Sequence, residues 1–203
     1  MTSQRWGILG GIFDPIHYGH LAIAEQTRGA LELDKVLFVP AGRPVHKDAP
    51  DAEGIARMRM VEMAIADNPA FEASWIEVNA ERPSYTLDTL TVLGADQPDV
   101  EFVLIVSSET AALMPTWHQP EQIVDLAQVA IVSRLGHADI SKEWIAHHFP
   151  RREDRFIRVE TTHLGHSSTA IRARVAAGKS IRYLVPESVE SYIEDNQLYA
   201  STK

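Results

Sequence analysis

The chain contains no cysteine. This absence excludes disulfide bonds, thiolate metal ligands and a cysteine nucleophile, and it fits a reducing compartment. The sequence also lacks the run of about eighteen apolar residues that a membrane-spanning helix needs, and no basic leader followed by an apolar stretch stands near residue 1. We therefore expect a soluble, unprocessed cytoplasmic protein.

Positive charge is scarce: 19 Lys and Arg stand against 28 Asp and Glu, which gives a formal net charge of -9. Proteins that wrap nucleic acid usually carry a basic face, so we expect neither a nucleic-acid nor a membrane partner. An anionic substrate must instead be held by local cations and backbone amides. The 203 residues show no repeat or linker-like stretch and are expected to form one domain.

Short apolar runs typical of buried parallel strands alternate with helix-length amphipathic segments. The predicted strands are Trp6 to Ile12, Lys35 to Pro40, Phe71 to Val78, Glu101 to Ser107, Val129 to Arg134 and Phe156 to Glu160. The predicted helices are Gly19 to Leu33, Gly54 to Asp67, Thr86 to Gly94, Ser141 to Phe149, Ser168 to Ala177 and Pro186 to Asn196, with Pro186 in the first turn. This pattern predicts an α/β, doubly wound, Rossmann-like parallel sheet of about six strands over 1–165, with a helical C-terminal subdomain over 166–203.

The first predicted strand ends in Gly10-Gly11, and Asp14-Pro15 interrupts the chain before a helix begins near Gly19. Glycines let the backbone pass close to a ligand, and a helix N-terminus directs amides at an anion. His17 and His20 lie three residues apart at this helix start, so both rings can project to one side, with Gly19 leaving room for a ligand. Two such histidines taken alone are more often structural, but here the pattern indicates phosphate binding and charge stabilisation.

A second helix start lies near the other end of the chain, where Ser167-Ser168-Thr169 precedes a helical run and Arg172 follows one turn later. Hydroxyl caps and amides at such a position can bind an anion. An ordinary cap with a surface arginine is the alternative. Gly178-Lys179-Ser180 is not a P-loop, because Ala173 stands where that motif needs a glycine.

The connection from Ala41 to Glu53 is the longest without predicted structure, and it contains His46 and Lys47. Long loops of this kind often close over substrates, although a plain surface loop has the same composition.

The segment GGIFDPIHYGH resembles the signature of the His-x-Gly-His nucleotidyltransferase superfamily, and the chain as a whole resembles its bacterial nicotinate-nucleotide adenylyltransferase family. The further matching pieces are Pro44-Val45-His46-Lys47, Arg57, Glu81 to Leu90, Pro115-Thr116-Trp117, Ser167 to Arg172 and Leu184-Val185-Pro186-Glu187. Each piece is weak alone, but their order and separations make the resemblance specific.

The resemblance implies transfer of AMP from ATP, with Mg²⁺ on the ATP, to nicotinate mononucleotide, releasing pyrophosphate. It implies catalytic roles for His17 and His20. It assigns ATP binding to Gly10, Gly11, Ile12, Phe13, Gly19, Ser167, Ser168, Thr169 and Arg172. It assigns nicotinate mononucleotide binding to His46, Lys47, Tyr85, Thr86, Glu109 and Trp117. No tightly bound cofactor or metal is implied, and a homo-oligomer is compatible with the sequence.

Two positions depart from the family pattern: Ser107-Ser108-Glu109 replaces glycine, any residue, aspartate, and Ile12 stands where a small hydroxyl residue is common. These departures leave open a catalytically altered nucleotide-binding or sensor protein. A pantetheine-phosphate adenylyltransferase is a second alternative. A metal-dependent hydrolase using His17, His20, His46, His163 and His166 is a third, because imidazoles are common metal ligands.

Overall fold

A computed structural model of the protein describes residues 4–43, 50–80, 83–133, 139–162 and 165–201. The strands are β1 (Gln4–Gly11), β2 (Lys35–Pro40), β3 (Phe71–Ala73), β4 (Val100–Ser107), β5 (Ala127–Val132) and β6 (Phe156–Val159). The helices are α1 (Tyr18–Ala30), α2 (Gly54–Ile65), α3 (Thr86–Asp96), α4 (Ser108–Leu113), α5 (Pro120–Leu126), α6 (Lys142–His148), α7 (Ser168–Ala176) and α8 (Glu187–Asp195). Short 3₁₀ turns cover Met114–Thr116 and Glu153–Arg155.

The six strands form one parallel sheet in the order β3-β2-β1-β4-β5-β6. Trp6 of β1 pairs with Lys35 on one side and with Phe102 on the other, so β1 and β4 occupy the centre. The strand order reverses between these two strands, and in open α/β sheets the ligand crevice lies at such a reversal, beyond the carboxyl ends of the strands. The α/β, doubly wound, Rossmann-like prediction is confirmed.

Helices cover both faces because successive side chains of each strand point to opposite sides and both sets are apolar. One buried cluster joins the sheet to α1, α2, α7 and α8, and its helix residues include Ala24, Met60, Val61, Ile171, Val189 and Ile193. The other joins the sheet to α3, α4, α5 and α6, and its helix residues include Leu90, Ala111, Ile123, Val124 and Ile145. The final helices therefore pack on the same core as the sheet.

Most predicted bounds differ from the observed ones by a few residues, and two of the differences have a clear structural reason. β3 ends at Ala73, not Val78, because it is an edge strand that pairs only with Val36 to Phe38 of β2. The amide of Ser74 donates to the carbonyl of Phe38, and a turn follows. Pro186 is the N-cap of α8 and not a first-turn residue.

Helices α4 and α5 were not predicted. They contain six and seven residues, and helices of fewer than about two turns show a 3.6-residue apolar period only weakly. Within the ranges described above, no helix is long and apolar enough to cross a membrane.

Candidate functional site

The connection between β1 and α1 forms a tight turn at the centre of the carboxyl edge. A Cβ added at Gly10 would meet no atom within 4 Å, whereas one at Gly11 would lie 2.9 Å from the Phe13 ring. Phe13 is buried and has φ 52°, which places a non-glycine residue in the left-handed region. Gly11 is therefore required by the folded-back Phe13 ring, while Gly10 leaves the backbone open to a ligand.

His17 and His20 meet at the start of α1, as their spacing predicts. Their ring centroids lie 3.7 Å apart with planes inclined by 16°, and the edge of the Phe13 ring packs on His20 at 5.0 Å. His17 is the N-cap residue of α1 and is buried. The two imidazoles thus form one stacked pair at a helix N-terminus, where the helix dipole favours an anion.

The backbone fixes the proton arrangement of His20. The amide of His17 donates to Nδ1 of His20 at 3.3 Å. An amide can only donate, so Nδ1 is the acceptor and the neutral ring carries its proton on Nε2. His20 therefore has an N–H that can donate to a phosphoryl oxygen.

The structure gives a packing reason for glycine at position 19, which differs from the room for a ligand that the sequence predicts. A Cβ there would lie 3.0 Å from the His17 ring and 3.3 Å from Cβ of His166. The His166 ring lies 5.9 Å from that of His17, with the two planes inclined by 27°, and its Nδ1 is buried without a hydrogen bond to any residue in the described ranges. His166 is thus a third imidazole beside the pair, and the sequence had singled it out only for a metal site.

The start of α7 lies against the same turn. The Ser168 hydroxyl donates to the carbonyl of Pro15 at 2.9 Å, and Nη1 of Arg172 donates to the carbonyl of Asp14 at 2.9 Å. Arg172 also forms an ion pair with Asp51. Ser167 is the N-cap residue and Thr169 is exposed. Two helix N-termini, predicted separately, therefore converge around Asp14-Pro15.

The Arg57 guanidinium holds the backbone of this turn through hydrogen bonds. The sequence marked Arg57 only as part of the family resemblance and gave it no role. Arg57 is 1% exposed and donates to the carbonyls of Ile12 at 2.7 Å, Ala41 at 2.6 Å and Ala52 at 3.1 Å. Burial lowers the pKa of Arg57 from its ordinary value, and the nearby Asp14 carboxylate acts in the opposite direction. Its guanidinium thus joins the ends of β1 and β2 to the start of α2.

Three of the six residues expected to bind the acceptor lie at or near the start of α3. Tyr85 is its N-cap residue and Thr86 its first residue. The Tyr85 ring lies 4.9 Å from that of His118, which follows Trp117 in the chain. Trp117 is half-buried against the second apolar cluster. Tyr85, Thr86 and Trp117 are thus brought to neighbouring positions, whereas His46 and Lys47 lie outside the described residues.

The segment that departs from the family pattern begins α4. The Ser107 hydroxyl accepts a hydrogen bond from the amide of Thr110 at 3.2 Å and so caps the helix. Ser108 is 1% exposed and Glu109 is exposed in the first turn. The Ser107 side chain, which stands in place of the glycine of the family pattern, is therefore hydrogen-bonded to its own helix. Ile12 is half-buried in the turn, where its carbonyl accepts from Arg57.

The metal-hydrolase alternative has no geometric support among the residues described. His46 and His163 lie outside those ranges, and within them no group of three or more His, Asp or Glu residues could hold a metal ion. The His17 and His20 rings are nearly parallel and 3.7 Å apart. Because imidazole lone pairs lie in the ring plane, two such rings do not converge on one ion.

Residues 8–174 match the cytidylyltransferase-like family. The chain is 44% identical over 198 residues to a probable nicotinate-nucleotide adenylyltransferase of Herpetosiphon aurantiacus, covering 97% of this chain and 98% of that protein. It is 46% identical over 200 residues to a protein of the same name from a Roseiflexus species, covering 98% and 100%.

Solved structures of similar fold include the nicotinic acid mononucleotide adenylyltransferase of Plasmodium falciparum complexed with NaAD. Its TM-score is 0.78 at 20% identity, and the match covers 97% of each chain. A putative nicotinate-nucleotide adenylyltransferase of Vibrio parahaemolyticus has a TM-score of 0.69 at 17% identity, covering 98% of this chain and 97% of that one. At these identities the likeness concerns the fold.

Proposed function

The chain belongs to the cytidylyltransferase-like family, and from its similarity to relatives named nicotinate-nucleotide adenylyltransferase we propose that it has the same activity. It transfers AMP from ATP to nicotinate mononucleotide and gives nicotinate adenine dinucleotide and pyrophosphate. The relatives that share this name match over almost their whole length. One observation of the site carries the proposal: the N-termini of α1 and α7 converge on Asp14-Pro15 and can bind one polyphosphate from two sides.

The reaction is a direct displacement. An oxygen of the 5′-phosphate of nicotinate mononucleotide bonds to the α-phosphorus of ATP, while the bond from that phosphorus to the bridging oxygen of the β-phosphate breaks. Pyrophosphate leaves, and no covalent enzyme intermediate forms. Since the attacking phosphate is already ionised, the protein needs no general base, and catalysis consists of positioning and charge stabilisation.

We assign the catalytic charge stabilisation to the stacked histidines. Nε2–H of His20 donates to a phosphoryl oxygen, and His17 lies parallel to it. The polyphosphate is held by the amides around Ser167, Ser168 and Thr169, with Arg172 in the following turn. Gly10, Gly11, Ile12, Phe13 and Gly19 form the turn beneath it. ATP enters as its magnesium complex, so Mg²⁺ belongs to the substrate.

We place the acceptor at the start of α3. Amides at a helix N-terminus favour the nicotinate carboxylate over the neutral amide of nicotinamide. Tyr85 and Thr86 stand at that start, the Trp117 ring stacks on the pyridine, and Glu109 contacts the ribose. We also assign acceptor binding to His46 and Lys47, which lie outside the described residues. We further propose one cytoplasmic domain, without a nucleic-acid or membrane partner, that can form a homo-oligomer.

The proposal is tested by pyrophosphate release from ATP with one of three acceptors: nicotinate mononucleotide, nicotinamide mononucleotide or phosphopantetheine. We expect nicotinate mononucleotide to react fastest. Faster reaction of phosphopantetheine would assign the chain to the pantetheine-phosphate adenylyltransferases. Nucleotide binding with no pyrophosphate from any acceptor would identify a catalytically altered binding protein.

A further inference from the structure

The carboxylate of Asp14 lies three residues before the histidine pair and binds two segments that are distant in the chain. It is 3% exposed. Oδ2 accepts from the amide of Asp51 at 2.8 Å, and Oδ1 accepts from the amide of Ala52 at 3.2 Å. Oδ1 also accepts from the hydroxyl of Tyr199 at 2.6 Å. A buried carboxylate needs such donors, because a charge removed from water is costly unless it is hydrogen-bonded.

Tyr199 follows α8 and is half-buried. It packs against the apolar cluster on the α8 side of the sheet, and its φ of 62° places it in the left-handed region. Burial, followed by the hydrogen bond to Asp14, raises the pKa of Tyr199 well above its ordinary value. The phenol is therefore protonated at neutral pH, where it is a hydrogen-bond donor.

The backbone of the same turn is held by both phosphate-binding segments. The carbonyls of Asp14 and Pro15 accept from Arg172 and Ser168 of α7, and His17 begins α1 two residues further on. A displacement of Asp14 would therefore move the two helix N-termini relative to each other. Small displacements matter, since a misplacement of about 1 Å can cost about 10²-fold in rate.

We propose that Tyr199 is a positioning residue of the adenylyl-transfer site: its hydroxyl holds the Asp14 carboxylate and thereby fixes the separation of the α1 and α7 N-termini. Tyr199 does not need to contact substrate for this role. The kinetic part of the test depends on the proposed function, and the exchange part does not.

The first experiment compares Tyr199→Phe with Tyr192→Phe. Tyr192 is a half-buried residue of α8 that packs against the same cluster, so its variant controls for loss of a phenol in this region. Because only the hydroxyl is removed, Tyr199→Phe should lower kcat by about 10- to 100-fold and leave KM for both substrates within about twofold. Tyr192→Phe should leave both constants unchanged. Equal kcat for the two variants would overturn the proposal.

A background variant tests whether the effect passes through Asp14. Asp14→Asn removes the charge of the acceptor and weakens its bond to the Tyr199 hydroxyl. The loss of kcat caused by Tyr199→Phe should be smaller in the Asp14→Asn background than in the wild type, because interacting residues are not additive. The same loss in both backgrounds would contradict the assigned route.

Amide hydrogen exchange gives a readout without turnover. Tyr199→Phe should accelerate exchange at Asp51 and Ala52, whose amides share the carboxylate with the tyrosine. It should also shift the imidazole NMR signals of His17 and His20, while Tyr192→Phe should change neither. Unchanged exchange and imidazole signals would overturn the positioning role. A wild type that releases no pyrophosphate would reject the proposed function, and the exchange result would still decide the role of Tyr199.

Discussion

His20 accepts a hydrogen bond from the His17 amide, and its Nε2–H is the donor that we assign to a phosphoryl oxygen. The donated hydrogen bond contributes to turnover and the accepted one to the stability of the helix start, and the two effects have different sizes. Loss of one transition-state donor typically lowers turnover by about 10²- to 10³-fold. Loss of an N-terminal cap costs about 0.5–2 kcal/mol of stability.

We expect His20→Ala to lower kcat by about 10²- to 10³-fold while the protein remains folded. Steady-state pyrophosphate release and thermal unfolding measure the two effects. His147→Ala, at an exposed position of α6, is the matched control and should change neither. Turnover of His20→Ala close to that of wild type would exclude His20 from catalysis.

At the scale of single residues, the sequence predicted those candidate site residues whose type and local spacing indicate phosphate binding. His17 with His20, and Ser168 with Arg172, came from local patterns, and the structure brings them to one turn. Tyr199 was not predicted, because its partner Asp14 is 185 residues away in sequence. A tyrosine near a surface helix has no local pattern that indicates a buried carboxylate partner.

Helix α5 is joined to the turn after α6 by a bidentate ion pair. Nε and Nη2 of Arg152 donate to the two carboxylate oxygens of Asp125 at 2.7 and 2.9 Å. The hydrogen bond from Arg152 lowers the pKa of Asp125 from its ordinary value. A carboxyl whose pKa is lower in the folded state stabilises the fold above its unfolded-state pKa, and this contribution disappears as the pH falls through the folded-state pKa.

Arg152→Ala should therefore lower the free energy of unfolding at neutral pH only slightly, because the Asp125 side chain is 54% exposed and water screens the pair. The difference from wild type should begin to shrink as the pH falls below about 4, where the carboxyl becomes protonated in the unfolded state. It should disappear below the lowered folded-state pKa, where the carboxyl is protonated in both states. Urea unfolding between pH 7 and pH 3 measures it. A difference that is constant with pH would instead reflect lost packing of the arginine stem.

The longer elements were predictable because each shows its apolar period over several turns or residues. Lys35 to Pro40 was predicted with the observed bounds. The errors fall where tertiary contacts decide: β3 stops at Ala73, where its pairing with Phe38 of β2 ends, and α4 and α5 are too short for a strong pattern. Periodicity contains no information about which strand lies at an edge.

On the scale of the whole molecule, α8 and the sheet share one apolar cluster. Ile193 of α8 is 1% exposed in this cluster, whereas Ile55 of α2 is 61% exposed. Ile193→Ala should lower the free energy of unfolding by about 2–5 kcal/mol, and Ile55→Ala by no more than about 0.5 kcal/mol.

Urea unfolding followed by circular dichroism and by tryptophan fluorescence measures both variants. Coincident transitions are expected for Ile193→Ala, because α8 and the sheet unfold together if the chain is one domain. Two separated transitions would instead show that the C-terminal helices form an independent unit.

The hydrogen bond between Asp14 and Tyr199 also determines when the site can form during synthesis. Local contacts form early, whereas contacts of large sequence separation must wait for loop closure. On a ribosome, residue 14 emerges long before residue 199, so a nascent chain can complete β1 and α1 while the Asp14 carboxylate still lacks the tyrosine. The geometry of the phosphate site therefore cannot be completed before Tyr199 has been synthesised and has reached Asp14.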